Sequence, residues 1–120
     1  MDKYHALHQF WSQFGVEAYD ENTIPDDAAL PYITYSVSVG SFDYPTAISA
    51  SIYDRSMKWT SVTQIADRIG AALKNGGQYI SYDDGAFWIR MGSPWMQRLS
   101  DNSNEDIRRI VLNLEIEYVE

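Results

Sequence analysis

Two histidines, His5 and His8, stand three residues apart near the start of the chain. On one helix that spacing brings them close enough to share a metal ion. Zinc needs at least three protein ligands, and only Asp2 is near. One amphipathic and one exposed histidine is the plainer expectation, so no metal ligand is assigned. Asp26-Asp27 and Asp83-Asp84 are paired carboxylates. Adjacent side chains diverge, and Asp favours turns, so both pairs read as turn formers and not as an acid–base couple. Arg108-Arg109 begins a strand and offers one guanidinium to solvent or to a partner's acid; a phosphate site there is the weaker reading. There is no Cys, so no thiol nucleophile, thiolate site or disulfide exists. The chain carries no Gly-x-Ser-x-Gly elbow, no phosphate-cradling glycine loop and no His-Glu-x-x-His helix. Gly76-Gly77 follows a helix, where it ends that helix instead of binding an anion. No catalytic or cofactor-binding residue is assigned, and no cofactor is expected.

The aromatic residues carry more information. Four Trp, nine Tyr and four Phe are many for 120 residues. Trp11, Phe14, Tyr35 and one of Phe87 and Trp88 are core by pattern. Alternation along a strand sends Phe87 and Trp88 to opposite faces, and places Tyr32 and Tyr53 opposite Ile33 and Ile52. Phe42, Tyr44, Trp95 and Met96 fall in segments that read as loops. Aromatics, Met and Arg are enriched where proteins dock. Phe42, Tyr44, Trp95, Met96, Arg98 and Arg108 are therefore the expected protein-interface residues. The alternative is that these loops fold back and cover the sheet edges.

The elements that must hold these residues follow from periodicity. A first helix is expected from Asp2 to Phe14, with Tyr4, Leu7, Trp11 and Phe14 as its stripe and Gly15 as its stop. Val16 to Tyr19 is a short strand candidate, and Asp20 to Pro31 an acidic loop. Tyr32–Val39 and Thr46–Asp54 alternate as two strands, paired antiparallel through the Gly40–Pro45 link. Ser61-Val62-Thr63-Gln64 reads as a capping box opening a second helix to Lys74. Gln78–Tyr82 and Ala86–Met91 form a hairpin around Asp83-Asp84-Gly85, with Asp-Gly supplying the turn. Gly92-Ser93-Pro94-Trp95-Met96-Gln97-Arg98-Leu99 reads as a loop, and Ser100 to Asp106 as a polar one. A last strand from near Arg108 turns Ile110, Leu112, Leu114, Ile116 and Tyr118 inward and Arg109, Asn113, Glu115 and Glu117 outward. A closing strand of that quality is expected to belong to the core of one complete domain, residues 1–120. The expected fold class is α+β: a mixed, mainly antiparallel sheet with two helices packed on one face.

Composition narrows the partners. Nine basic and seventeen acidic residues give a formal charge of −8. That disfavours specific nucleic-acid binding and an anionic membrane surface. No apolar run approaches the ~20 residues that cross a bilayer, and the N-terminus lacks a signal-peptide pattern. The charge is uneven: residues 1–54 hold −7, residues 55–109 hold +2, and residues 110–120 hold −3. Such asymmetry is a solvated acidic surface or the means of head-to-tail self-association, in which unlike faces of identical copies meet.

Taken in order, the landmarks resemble the tail terminator proteins of long-tailed, non-contractile bacteriophages, also known as tail-completion or minor tail proteins. The similarity runs through Phe10-Trp11-Ser12-Gln13-Phe14-Gly15, Ala18-Tyr19-Asp20-Glu21-Asn22-Thr23-Ile24-Pro25 and Leu30-Pro31-Tyr32-Ile33-Thr34-Tyr35. It continues in the helix after Trp59-Thr60, in Gly92-Ser93-Pro94-Trp95, and in Arg108-Arg109-Ile110-Val111-Leu112-Asn113-Leu114-Glu115. The resemblance implies a small subunit that forms a ring, typically a hexamer, on the last layer of the tail tube. Such a ring stops tube polymerisation and presents a surface to the head. It implies no catalysis. The implied partners are other copies of the chain, the tail tube protein and a head–tail connector protein. DNA would pass through without specific binding, and no membrane is involved. The implied location is the host cytoplasm during assembly and then the virion.

Three further readings stay open at this level. A head-closure or head–tail connector subunit has similar size and fold. A small enzyme could assemble a site from Asp, Tyr and Arg without a known motif, or a monomeric binder could use the same aromatic segments on a host or phage protein.

Overall fold

The computed structural model describes residues 1–100 and 106–120. Helix α1 spans Lys3–Trp11 and runs into a single 3-10 turn, Ser12–Phe14. Asp2 is the N-cap: its carboxylate accepts the His5 N–H at 2.8 Å, which satisfies one of the orphan donors of the first turn. Gly15, at φ 86°, closes the 3-10 turn in the left-handed region. The buried stripe is Ala6, Leu7, Phe10, Trp11 and Phe14. Tyr4 is not part of it. At about 100° per residue it stands a quarter-turn from the stripe's centre, and it is 54% exposed.

Strand β1 (Glu17–Asp20) is followed by β2 (Tyr32–Tyr35), β3 (Thr46–Arg55), helix α2 (Thr60–Leu73), β4 (Gln78–Tyr82), β5 (Gly85–Ser100) and β6 (Ile107–Val119). The six strands form one sheet in the order β1-β2-β3-β6-β5-β4. Among the described residues β1 and β2 pair in parallel and the other neighbours are antiparallel. The fold is α+β, as the alternation and the two helical stripes require. Strand β2 is shorter than its pattern suggests. It ends at Tyr35, although Val37 and Val39 still pack on the core.

Burial is one-sided. Ile33 and Tyr35 of β2, Ile48, Ala50 and Ile52 of β3, Phe87 and Ile89 of β5, and Ile110 to Tyr118 of β6 meet α1 and α2 in one apolar cluster. Trp11 stacks on Tyr35 with ring centroids 6.1 Å apart and planes 8° off parallel. The α2 stripe Val62, Ile65, Ala66, Ile69 and Leu73 completes the layer. Among the described residues the other face of the sheet carries no helix.

Three local expectations are corrected. Helix α2 begins at Thr60 behind Trp59, which makes no side-chain cap. Ser61 already lies inside the first turn, and its hydroxyl donates to the Asp54 carboxylate. The capping-box residues thus tie the helix to β3 and do not close its end. In the β4–β5 hairpin the two turn residues are Asp83 and Asp84, because Tyr82 pairs with Gly85. Gly85 is a strand residue, and a Cβ there would lie 2.1 Å from the Val119 carbonyl oxygen. The third correction is the largest. Gly92–Leu99 is no loop: β5 runs on through it to Ser100.

A register shift between Met91 and Met96 explains how a Gly-Ser-Pro run fits a strand. Met91 pairs with Leu114 and Met96 with Leu112, so the residues between bulge out. Gly92 sits where a Cβ would come within 2.9 Å of the Asn113 backbone. Its lack of a side chain serves close approach of two strands, not a turn. Of the polar segment Ser100–Asp106, Ser100 ends β5 and Asp106 is a turn residue; residues 101–105 lie outside the described residues.

Candidate functional site

Strand register sorts the six expected interface residues into three places. Strand β3 starts at Thr46, level with Ile116, and ends at Arg55, level with Ile107. At about 3.3 Å per residue the sheet is therefore ~30 Å tall along this strand. Phe42 and Tyr44 lie at the Thr46 end. Arg98 and Arg108 lie toward the Arg55 end, level with Ile110 and Asp54. They cannot form one site with the aromatic loop.

Phe42 is 40% and Tyr44 68% exposed. Their loop is held, not loose: the Asp43 N–H donates to the Tyr118 carbonyl at 2.8 Å, with Asp43 at φ 66°. A short polar residue tolerates that conformation, and the turn it makes leaves both rings outside the core.

Trp95 and Met96 are corrected. Neither stands in an exposed loop; both are partly buried against the core. The Trp95 indole lies over Gly70 of α2, close enough that a Cβ on that glycine would be 3.3 Å from Nε1. The bulge turns this side chain onto the helix. The apolar residues that do stand outside on this strand are Trp88 and Leu99, each 41% exposed. Trp88 Nε1 donates to the Gly76 carbonyl, 2.6 Å away, and the Arg90 guanidinium lies 4.9 Å from its ring centroid.

At the far end, Trp59 gathers two cations. The guanidinium carbon of Arg98 lies 5.0 Å and that of Arg108 5.5 Å from the indole centroid. Arg108 also donates to the Met57 carbonyl at 3.1 Å. Arg98, Trp59, Thr60, Thr63 and Gln64 line an open recess at the start of α2. Residues 58 and 59 flank a helix start in the sequence, but nothing in their spacing announces that two arginines from distant strands converge there.

The uncovered sheet face carries a second row that the sequence showed only in part. Tyr19, Tyr32 and Tyr53 follow one another across β1, β2 and β3, with centroids 5.7 and 5.4 Å apart. Arg109 of β6 continues the row, its guanidinium 5.3 Å from the Tyr53 ring and bonded to the Ser51 hydroxyl at 3.0 Å. Burial, then the neighbouring tyrosines, pushes the Tyr32 hydroxyl pKa up. Beyond the row a cleft of about 340 Å³ opens at the bulge between Ala47, Ser93, Pro94, Gln97, Asn113 and Glu115. The Asn113 amide donates to the Pro94 carbonyl at 2.8 Å across it.

The reactive-looking pairs resolve into structural roles. His8 Nδ1 meets the Tyr35 hydroxyl at 3.0 Å and Nε2 meets the Ser12 hydroxyl at 3.3 Å. Asp26-Asp27 and Asp83-Asp84 sit in turns. Among the described residues no group of three His, Asp or Glu stands close enough to hold a metal. One polar cluster joins the two ends of the chain. Lys3 Nζ lies 2.8 Å from Glu120 Oε1, which also accepts the Tyr82 hydroxyl at 3.0 Å. The Lys3 bond holds the Glu120 carboxyl below its usual range, and the Glu120 bond raises the Lys3 ammonium. This cluster ties α1 to β4 and β6.

No helix is long and apolar enough to cross a membrane among the described residues. No protein-family model matches the chain, and no curated protein matches it.

Proposed function

We propose that this chain is a structural subunit of a phage tail, a ring-forming terminator that caps the tail tube and offers a surface to the head. The observation that carries this reading is the Phe42–Tyr44 loop. A tethered turn that holds two large rings in water is costly unless another molecule covers them. The loop stands at one end of the strands, where a ring subunit would meet the next layer of an assembly. The resemblance of the ordered landmarks to tail terminators names the kind of assembly. The formal charge of −8 supports a lumen from which DNA is repelled.

Negative-stain microscopy of the purified protein with and without tail tubes tests the reading. Rings seated on tube ends, and tubes that stop growing, are the expected result. Phe42→Ala with Tyr44→Ala should keep the fold and lose tube capping. A doubly substituted protein that caps tubes normally refutes the role given to this loop. A protein that binds DNA-filled heads but never tubes belongs with head-closure subunits instead.

A further inference from the structure

Among the described residues the sheet has bare edges along β1, along β4 and along the second half of β5. Strand β1 pairs with β2 and, among the described residues, has no neighbour beyond it. On the opposite side β4 covers β5 only from Gly85 to Ile89, so Met96–Leu99 meets β6 alone. The bare stretches of β1 and β5 lie at one height. Glu17, Tyr32, Tyr53, Arg109 and Leu99 stand in register across five strands, as do Asp20, Tyr35, Ala50, Leu112 and Met96. β1 is four residues long, and the bare part of β5 pairs with β6 from Met96 to Ser100. On β5 the run is bounded by Pro94, which has no N–H to offer a further strand.

From these edges we propose that β1 of one copy adds to the Met96–Leu99 edge of β5 in the next, joining copies head to tail in one continuous sheet. Successive pairings make β1 run opposite to β5. A second copy set beside the first in the same orientation therefore meets it antiparallel, the commoner and slightly stronger pairing.

Charge selects this occupant. Residues 17–31 hold Glu17, Asp20, Glu21, Asp26 and Asp27 and no base. Residues 90–100 hold Arg90 and Arg98 and no acid. Arg98 is exposed and has no carboxylate partner among the described residues. In the pairing without shift it stands opposite Ala18 of the next copy and diagonal to Asp20 on the same face, within reach of a long side chain. The alternative two-fold pairings, β1 with β1 or β5 with β5, bring like charges together and are disfavoured. Exposed Leu99 gains cover in the same contact.

The inference deepens the ring-forming reading and rests on it only for its biological use. Its test needs no tube. Over the two paired stretches, Glu17→Lys with Asp20→Lys makes both basic and Arg98→Glu makes both acidic. Neither variant touches the core, and circular dichroism verifies each fold. Sedimentation at low salt should show self-association of the wild type, weakened about tenfold or more in each variant. An equimolar mixture of the two variants should recover it, because unlike edges then alternate. A second measurement leaves charge alone. Tyr19→Cys with Gln97→Cys places thiols about four strand spacings, ~19 Å, apart in one copy, too far for an internal bridge. The chain has no other Cys, so oxidation should give a ladder of covalent oligomers.

A wild type that stays monomeric at millimolar concentration, a mixture that recovers nothing, or a missing ladder overturns the inference. Tubes that the charge-reversed variants cap normally would sink this interface and leave the terminator reading intact. Cross-linked rings that never engage tubes would do the reverse.

Discussion

Trp95 illustrates how the bulge converts an apparently exposed side chain into a structural one, and the claim can be measured. The indole lies over Gly70 in the last turn of α2. Full truncation of a buried Trp costs about 3–5 kcal/mol; Trp95 is only partly buried, so Trp95→Ala should cost about 2 kcal/mol. Gly70→Ala alone has two opposed effects. Replacing a glycine within the helix gains about 1 kcal/mol of helix propensity. The new Cβ sits 3.3 Å from Trp95 Nε1, so the indole must shift by a few tenths of an ångström. The net change should be near zero. Once Trp95 is Ala the crowding is gone, and Gly70→Ala should recover its full ~1 kcal/mol. The coupling between the two sites is then about 1 kcal/mol. Urea unfolding followed by far-UV circular dichroism measures all four proteins without relying on the indole's own fluorescence. Additivity within ~0.3 kcal/mol, or a Trp95→Ala cost inside the ~0.5 kcal/mol typical of surface changes, would refute the packing argument.

Other outcomes follow from the same packing. Gly85→Ala would drive a Cβ into the Val119 carbonyl, so it should lose at least about 2 kcal/mol in urea titrations by prying β5 from β6. Phe42→Ala should stay within about 1 kcal/mol of wild type, since much of that ring is already in water; a larger loss means the loop is structural. The Lys3–Glu120 bond makes stability pH-dependent at both extremes. Glu120 has a lowered folded pKa, so its contribution is present above the usual Glu value and fades as pH falls through the folded one. Lys3 has a raised pKa, so its contribution fades as pH rises through that value. Lys3→Met should flatten both limbs of the stability profile, and unchanged limbs would discard the link. Tyr118 is buried with no hydrogen-bond partner for its hydroxyl among the described residues, and burial pushes its pKa up to about 12. Tyr118→Phe should therefore cost nothing and gain up to about 1 kcal/mol by thermal melting.

Strand β6 was legible because its burial is one-sided and uninterrupted: Ile110, Leu112, Leu114, Ile116 and Tyr118 all turned out to be buried. The second half of β5 was not legible. Gly92, Ser93 and Pro94 carry local turn chemistry, and only the partner strand shows that a bulge absorbs them. Helix α2 was found within a residue, yet Ser61 bonds across to Asp54 and does not cap; a four-residue motif cannot reveal a distant acceptor. Phe42 and Tyr44 were placed correctly at the surface. Trp95 and Met96 were not, because their exposure was inferred from the loop assignment and fell with it. Trp59 escaped notice as a gathering point for Arg98 and Arg108, since those residues are brought to it by register between strands far apart in sequence.

The position of β6 between β3 and β5 has a consequence for synthesis. Until residues 107–119 have left the ribosome the sheet is in two pieces: a three-stranded unit of β1, β2 and β3, and the β4–β5 hairpin. Neither can seal its inner edge until residues 107–119 emerge and slide between them. Release of that stretch from the ribosome is the moment at which new copies stop being sticky toward one another.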